Sequence, residues 1–217
     1  MGMILGSFLL SLFWLSPAAL AATAFTTLDE LKDAVDQWAD SNTRATVEAT
    51  YGTIDSWNVK QVTSFNFLFS TERNPALVDF NEDISGWNVV NGDNFRYMFK
   101  GCTSFNQDLS GWNVDVSGSM EGMFYNAQSF NSNLNDWTVT YVDDLSFMFY
   151  GASSFNGDLS SWRPKWCDSF GKCLYEQKGT SQFSFIISGC HFLQCTEVVR
   201  FSVTGLYVCG IFLSRRV

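Results

Sequence analysis

Five tryptophans recur at a nearly fixed interval. Trp57, Trp87, Trp112, Trp137 and Trp162 are separated by 30, 25, 25 and 25 residues, and the longer first gap holds five extra residues near Thr71–Pro75. A period of this length marks a chain of stacked units, each packing mainly on its neighbours. Other positions keep the same frame. Phe69, Phe99, Phe124 and Phe149 lie twelve residues after a Trp, each preceded by Leu68, Met98, Met123 or Met148. Phe65, Phe95, Met120 and Leu145 lie eight after it. Cys102, Ala127 and Ala152 fill a small-residue slot. A Phe-Asn pair follows: Phe80-Asn81, Phe105-Asn106, Phe130-Asn131 and Phe155-Asn156. Ile54, Ile84, Leu109, Leu134 and Leu159 stand three residues before each Trp.

Each unit has two halves. Val142, Leu145, Met148, Phe149 and Ala152 are spaced as one face of a helix. The other half, Ser154 to Ser160, is rich in turn formers and too short for a helix. It reads as a short strand with a bend before Trp162. The expected fold is therefore an α/β solenoid of about four to five 25-residue coils. Each coil would hold one short strand and one short helix, and the strands would form a parallel ladder. Residues 27–38 are expected to cap the stack as a helix. Thr27 and Glu30 have the spacing of a capping box, and Leu28, Leu31, Val35 and Trp38 form an apolar stripe.

Composition divides the chain near residue 162. Residues 1–162 carry six basic and 19 acidic side chains, net −13, whereas residues 163–217 carry seven basic and three acidic, net +4. Five of the six cysteines, Cys167, Cys173, Cys190, Cys195 and Cys209, lie in the second part. An acidic balance repels nucleic acid, and none is expected as a partner. At the N-terminus an apolar run from Ile4 to Leu15 is followed by Pro17 and small residues. It reads as a secretory signal peptide over residues 1–24 and is short for a membrane span. The domain reading is then 1–24 signal peptide, 25–56 capping helix and first strand, 57–174 repeats and 175–217 an irregular cysteine-rich tail. Three readings of the tail stay open. It is a disulfide-linked extension, a membrane-associated end built on Phe201–Leu213, or a segment outside the working protein, such as a frameshift would append.

The run Phe105–Val114, FNQDLSGWNV, followed by Met120–Phe124, MEGMF, resembles the lipoprotein-type repeat of BspA-like leucine-rich-repeat surface proteins. That repeat occurs in bacterial surface proteins, including those of mycoplasmas, and in marine microalgae. The resemblance covers residues 26–162. It implies a leucine-rich-repeat-like stack, export or surface display, and contact with a protein or cell-surface ligand. It supplies no catalytic residues. The chain departs from the pattern after each Trp, where Asn or Thr replaces the Asp of Trp-Asp-Val-Ser, and at Arg163-Pro164-Lys165.

Candidate sites are few. The Asn column (Asn81, Asn106, Asn131, Asn156) is read as an internal amide ladder that satisfies backbone groups, with a ligand ladder as the other reading. Asp83, Asp108 and Asp158 form a weak Ca²⁺ candidate, set against solvated or turn-capping carboxylates. The single histidine, His191, lies in the tail, which leaves Ser-His-Asp, Cys-His and His-rich metal chemistry without a scaffold in the repeats. No catalytic residue, metal or cofactor is expected. The expected function is a secreted or surface-displayed contact module. A carbohydrate-binding lectin or wall-associated enzyme and a structural coat protein are the alternatives.

Overall fold

In a computed structural model, the described residues are 23–115, 117–159 and 161–162, together with the backbone of two strands in the tail. Two helices open the chain. α1 (Leu28–Ala39) begins at a complete capping box: Thr27 Oγ1 accepts from the Glu30 N–H, and the Glu30 carboxylate accepts from the Thr27 N–H. Its buried residues are Leu31, Ala34, Val35 and Trp38. α2 (Arg44–Tyr51) follows after a short turn and buries Val47. A 3-10 turn at Ile54–Ser56 then leads into Trp57. The first strand expected before Trp57 is thus replaced by α2 and this turn.

From Trp57 to Trp162 the coils stack at the expected period, but they are not strand–helix coils. Among the described residues up to Trp162, the only α-helices are α1 and α2, and no strand forms. Backbone pairing is limited to single parallel bridges, Ser64 to Asn94, Asn94 to Ser119 and Ser119 to Asp144. The expectation of an α/β solenoid, leucine-rich-repeat-like in its coils, is therefore overturned.

The physical reason lies in the backbone angles. The residues ten after each Trp are Phe67, Tyr97, Gly122 and Phe147, and their φ values are 55°, 52°, 58° and 57°. Four residues further, Gly101, Asn126 and Gly151 are also left-handed. A right-handed helix requires negative φ throughout, so these residues cut the apolar segment into successive tight turns. Leu68 N–H closes one turn on Phe65 O, and Ser70 N–H another on Phe67 O. The intervening N–H groups point to the next coil instead. Phe65, Phe67, Phe69 and Thr71 donate to the carbonyls of Asn94, Arg96, Met98 and Lys100 at 2.7–2.9 Å. The same four-bond set joins the later coils, from Phe95 to Ser119 and from Met120 to Asp144 onward.

The other half of each coil forms no ladder because a side chain does the bridging. Asn106 N–H donates to Asn81 Oδ1, Asn131 N–H to Asn106 Oδ1, and Asn156 N–H to Asn131 Oδ1, at 2.7–2.9 Å. An amide oxygen takes the place a backbone carbonyl would hold in a β-sheet.

The core is columns of rings. Phe69, Phe99, Phe124 and Phe149 stack with centroids 5.4–5.7 Å apart. Phe80, Phe105, Phe130 and Phe155 stack at 5.8–6.0 Å. Within each coil the two columns touch at 3.8–4.1 Å. Each Trp is buried, and from Trp87 onward its indole N–H reaches back one coil. Trp87, Trp112, Trp137 and Trp162 donate to the carbonyls of Ile54, Ile84, Leu109 and Leu134 at 2.7–3.2 Å. The repeated Trp thus buries a large apolar surface and satisfies its only polar atom.

In the tail, β1 (Ser184–Ser188) pairs antiparallel with β2 (Thr196–Arg200), Ser184 opposite Arg200. Residues 1–22 of the expected signal peptide, residues 163–174 of the expected repeat region, and His191 fall outside the described residues.

Candidate binding face

The columns singled out in the sequence are largely structural in placement. The Met and Phe positions of the repeat are buried, as is Cys102, whose thiol donates to Phe69 O at 3.0 Å. Burial pushes that thiol far above the ordinary cysteine range. The Asn column is exposed rather than internal, and its oxygens serve the next coil's backbone.

The Asp column closes turns. Asp83 Oδ1 and Asp108 Oδ1 accept from the N–H of Ser85 and Ser110, each at 2.9 Å. These backbone hydrogen bonds hold both carboxyls below the usual range. Asn133 fills the same slot with the same bond to Asn135. Among the described residues no group of three His, Cys, Asp or Glu side chains could hold a metal ion. The Asn that follows Trp57, Trp87 and Trp112 acts likewise. Asn58, Asn88 and Asn113 each accept from the N–H two residues on, which closes the turn.

The five-residue insertion has a definite task. Arg73 Nη1 meets the Asp36 carboxylate of α1 at 2.6 Å, while its Nε and Nη2 donate to Phe67 O and Leu68 O. Asn74 Nδ2 donates to the same Asp36. The insertion ties the cap to the first coil. Between the cap and residues 76–82 lies a cleft of about 340 Å³, bordered by Trp38, Arg44, Leu77, Phe80 and Glu82. Glu82 already engages Arg44 at 3.3 Å and Trp38 Nε1 at 3.4 Å there.

What the core does not consume is a strip of aromatic side chains on the bridge side of the stack. It arises from two slots, ten and thirteen residues after Trp. Phe67 meets Tyr97 at 5.1 Å, Tyr97 meets Tyr125 at 6.2 Å, Tyr125 stacks on Tyr150 at 4.5 Å, and Tyr150 contacts Phe147 at 6.4 Å. The tyrosines are half-buried and Phe147 is 36% exposed. Gly122 makes the strip continuous. The Tyr97 ring lies across the third coil where a Cβ at Gly122 would approach Cε1 to 2.1 Å.

Cations sit on one end of this strip. Arg96 lies 5.3 Å from the Tyr97 ring centroid, and Lys100 lies 4.9 Å from Tyr97 and 5.3 Å from Tyr125. Acids hold them there: Glu121 pairs with Arg96 at 2.8 Å, and Glu72 pairs with Lys100. Tyr97 O–H donates to Glu121 Oε1 at 2.7 Å. Burial, reinforced by this bond to Glu121, pushes the Tyr97 hydroxyl up to about 12. The sequence reading assigned the aromatics to core slots and missed this strip. Its signal was present, because three of four coils carry an aromatic ten residues after Trp.

A family model described as Mycoplasma protein of unknown function, DUF285, matches residues 21–162 and 111–182. No curated protein and no solved structure matches the chain.

Proposed function

We propose, for a chain that belongs to the DUF285 family of unknown function, an exported or surface-displayed contact module whose working face is the aromatic strip. The strip carries the reading. Burial accounts for the repeated Trp and Phe columns, but nothing in the packing requires Tyr125, Tyr150 and Phe147 to line one outer face. Aromatic rings that reach solvent on a rigid scaffold are among the side chains that dominate protein contacts. The apolar run Ile4–Leu15 with small residues after it supports export. The FNQDLSGWNV and MEGMF motifs support kinship with BspA-like surface proteins. No described helix is long and apolar enough to cross a membrane.

The test is a photoreactive residue placed at Phe147 in the full chain, expressed in source cells, with a second at Asp29 on α1 as control. The expected result is a discrete cross-linked protein from position 147 and none from 29, accessible to a membrane-impermeant label on intact cells. Labelling only after lysis, or identical cross-links from both positions, would remove the reading.

A further inference from the structure

The chain itself illustrates what this strip accommodates. At the end nearer the cap, the aromatic faces carry the cations Arg96 and Lys100, and acids anchor those cations. At the far end the slots change. The position of Lys100 becomes Tyr125 and then Tyr150, and the position of Arg96 becomes Glu121 and then Ser146. The rings therefore continue after the cations stop, and among the described residues no cation lies over Tyr150 or Phe147. The surroundings favour positive charge as well. Residues 1–162 sum to −13, and four of their six cations, Arg44, Arg73, Arg96 and Lys100, are already paired with acids.

We infer that the Tyr125–Tyr150–Phe147 end of the strip binds a cationic polypeptide segment, seating arginine or lysine side chains over its rings as Arg96 and Lys100 sit over Tyr97. The inference rests on the contact reading and adds the chemistry of the partner. Two physical effects support it. An aromatic face attracts a guanidinium or ammonium, arginine more often. The acidic body raises the local concentration of a basic segment and speeds its arrival. A second copy of this chain is disfavoured as well, because each whole chain carries a net −9 and two copies repel.

The test uses the full chain with labelled oligo-arginine, oligo-lysine and oligo-glutamate peptides and a neutral oligosaccharide, followed by fluorescence anisotropy at physiological salt. The variants are Tyr150→Ser and Phe147→Asn, singly and combined; Asn tolerates the left-handed backbone at 147. Asp55→Asn, remote on the 3-10 turn before Trp57, controls for bulk charge. Oligo-arginine is expected to bind more tightly than oligo-lysine, and oligo-glutamate not at all. The double variant should lose about tenfold in affinity, on the order expected for two partly desolvated cation–π contacts, with a melting temperature lowered by only about 2–4 °C. Asp55→Asn should lose less than about twofold, as a single exposed charge does in screening salt. Equal binding by the wild type and the double variant would overturn the inference, since attraction would then be bulk charge alone. Retention of the neutral oligosaccharide in place of the peptides would overturn it too. Either result leaves the contact reading standing if position 147 still cross-links a protein.

Discussion

Phe99 and Tyr97 are two residues apart, yet they belong to different regions of the molecule. Phe99 sits in a column that every coil repeats, with Phe69 and Phe124 above and below at 5.4 and 5.5 Å. Tyr97 sits in a slot that no two adjacent coils fill alike: Phe67, Tyr97, Gly122, Phe147. The first region is uniform because each of its rings packs directly on its counterpart one coil away. The second is free to vary because its side chains reach solvent. Uniformity in the columns therefore marks folding, and variation in the strip marks recognition.

The contrast is broken most directly by cutting a ring from each region. Phe99→Ala removes a fully buried ring flanked by four others and should cost about 3–5 kcal/mol, read by chemical denaturation. Tyr150→Ser, by contrast, removes a half-buried ring stacked on Tyr125 and should cost about 0.5–1.5 kcal/mol; a comparable loss at both positions would show the strip to be core.

The cap junction comes next. Arg73→Met leaves the Asp36 carboxylate to Asn74 alone and strips the carbonyls of Phe67 and Leu68 of their donor, with an expected loss of about 1–3 kcal/mol. Hydrogen exchange should report it first in α1. Protection lost evenly along the coils would mean that the insertion has no special hold on the cap.

The Asn ladder separates two explanations of its column. Asn106→Ala removes the acceptor for Asn131 N–H at an exposed site and should cost about 0.5–1.5 kcal/mol. Asn106→Asp keeps an acceptor oxygen and should recover most of that at neutral pH. A loss in ligand binding without a loss in stability would favour the ligand-ladder reading instead.

The smallest effect is a pH signature. Folding raises the Tyr97 hydroxyl above its ordinary value of 10 to about 12. The neutral form is thus favoured in the native state. That contribution is complete below about pH 10 and is lost as pH rises through about 12. Ultraviolet titration should resolve one tyrosine ionising late, and Tyr97→Phe should abolish that late step. Asp83 and Asp108 run the opposite way. Their depressed carboxyls stabilise above the ordinary carboxylate range and lose that contribution as pH falls through it. Asp83→Asn keeps the turn bond to Ser85 and should remove its share of the acid sensitivity.

The 25-residue period, the identity of the buried columns and the start of α1 at Thr27 and Glu30 are decided by the sequence alone. Each depends on residue type at fixed spacing: apolar side chains must meet their counterparts one coil away, and a capping box is local. The conformation within a coil is not decided that way. The steps of Val142, Leu145, Met148, Phe149 and Ala152 suit a helix, and all five residues are indeed buried. A run of tight turns buries the same positions, and periodicity does not tell the two apart. The choice falls to tertiary structure. Alternate N–H groups find carbonyl partners on the next coil, and this outside partnership sustains left-handed φ at Phe67 and Tyr97 that an isolated segment would not adopt. The same neighbours assemble the strip. Residues from four coils that are remote in sequence become one row only when the coils stack, which is why the aromatic face belongs to the fold and not to any single repeat.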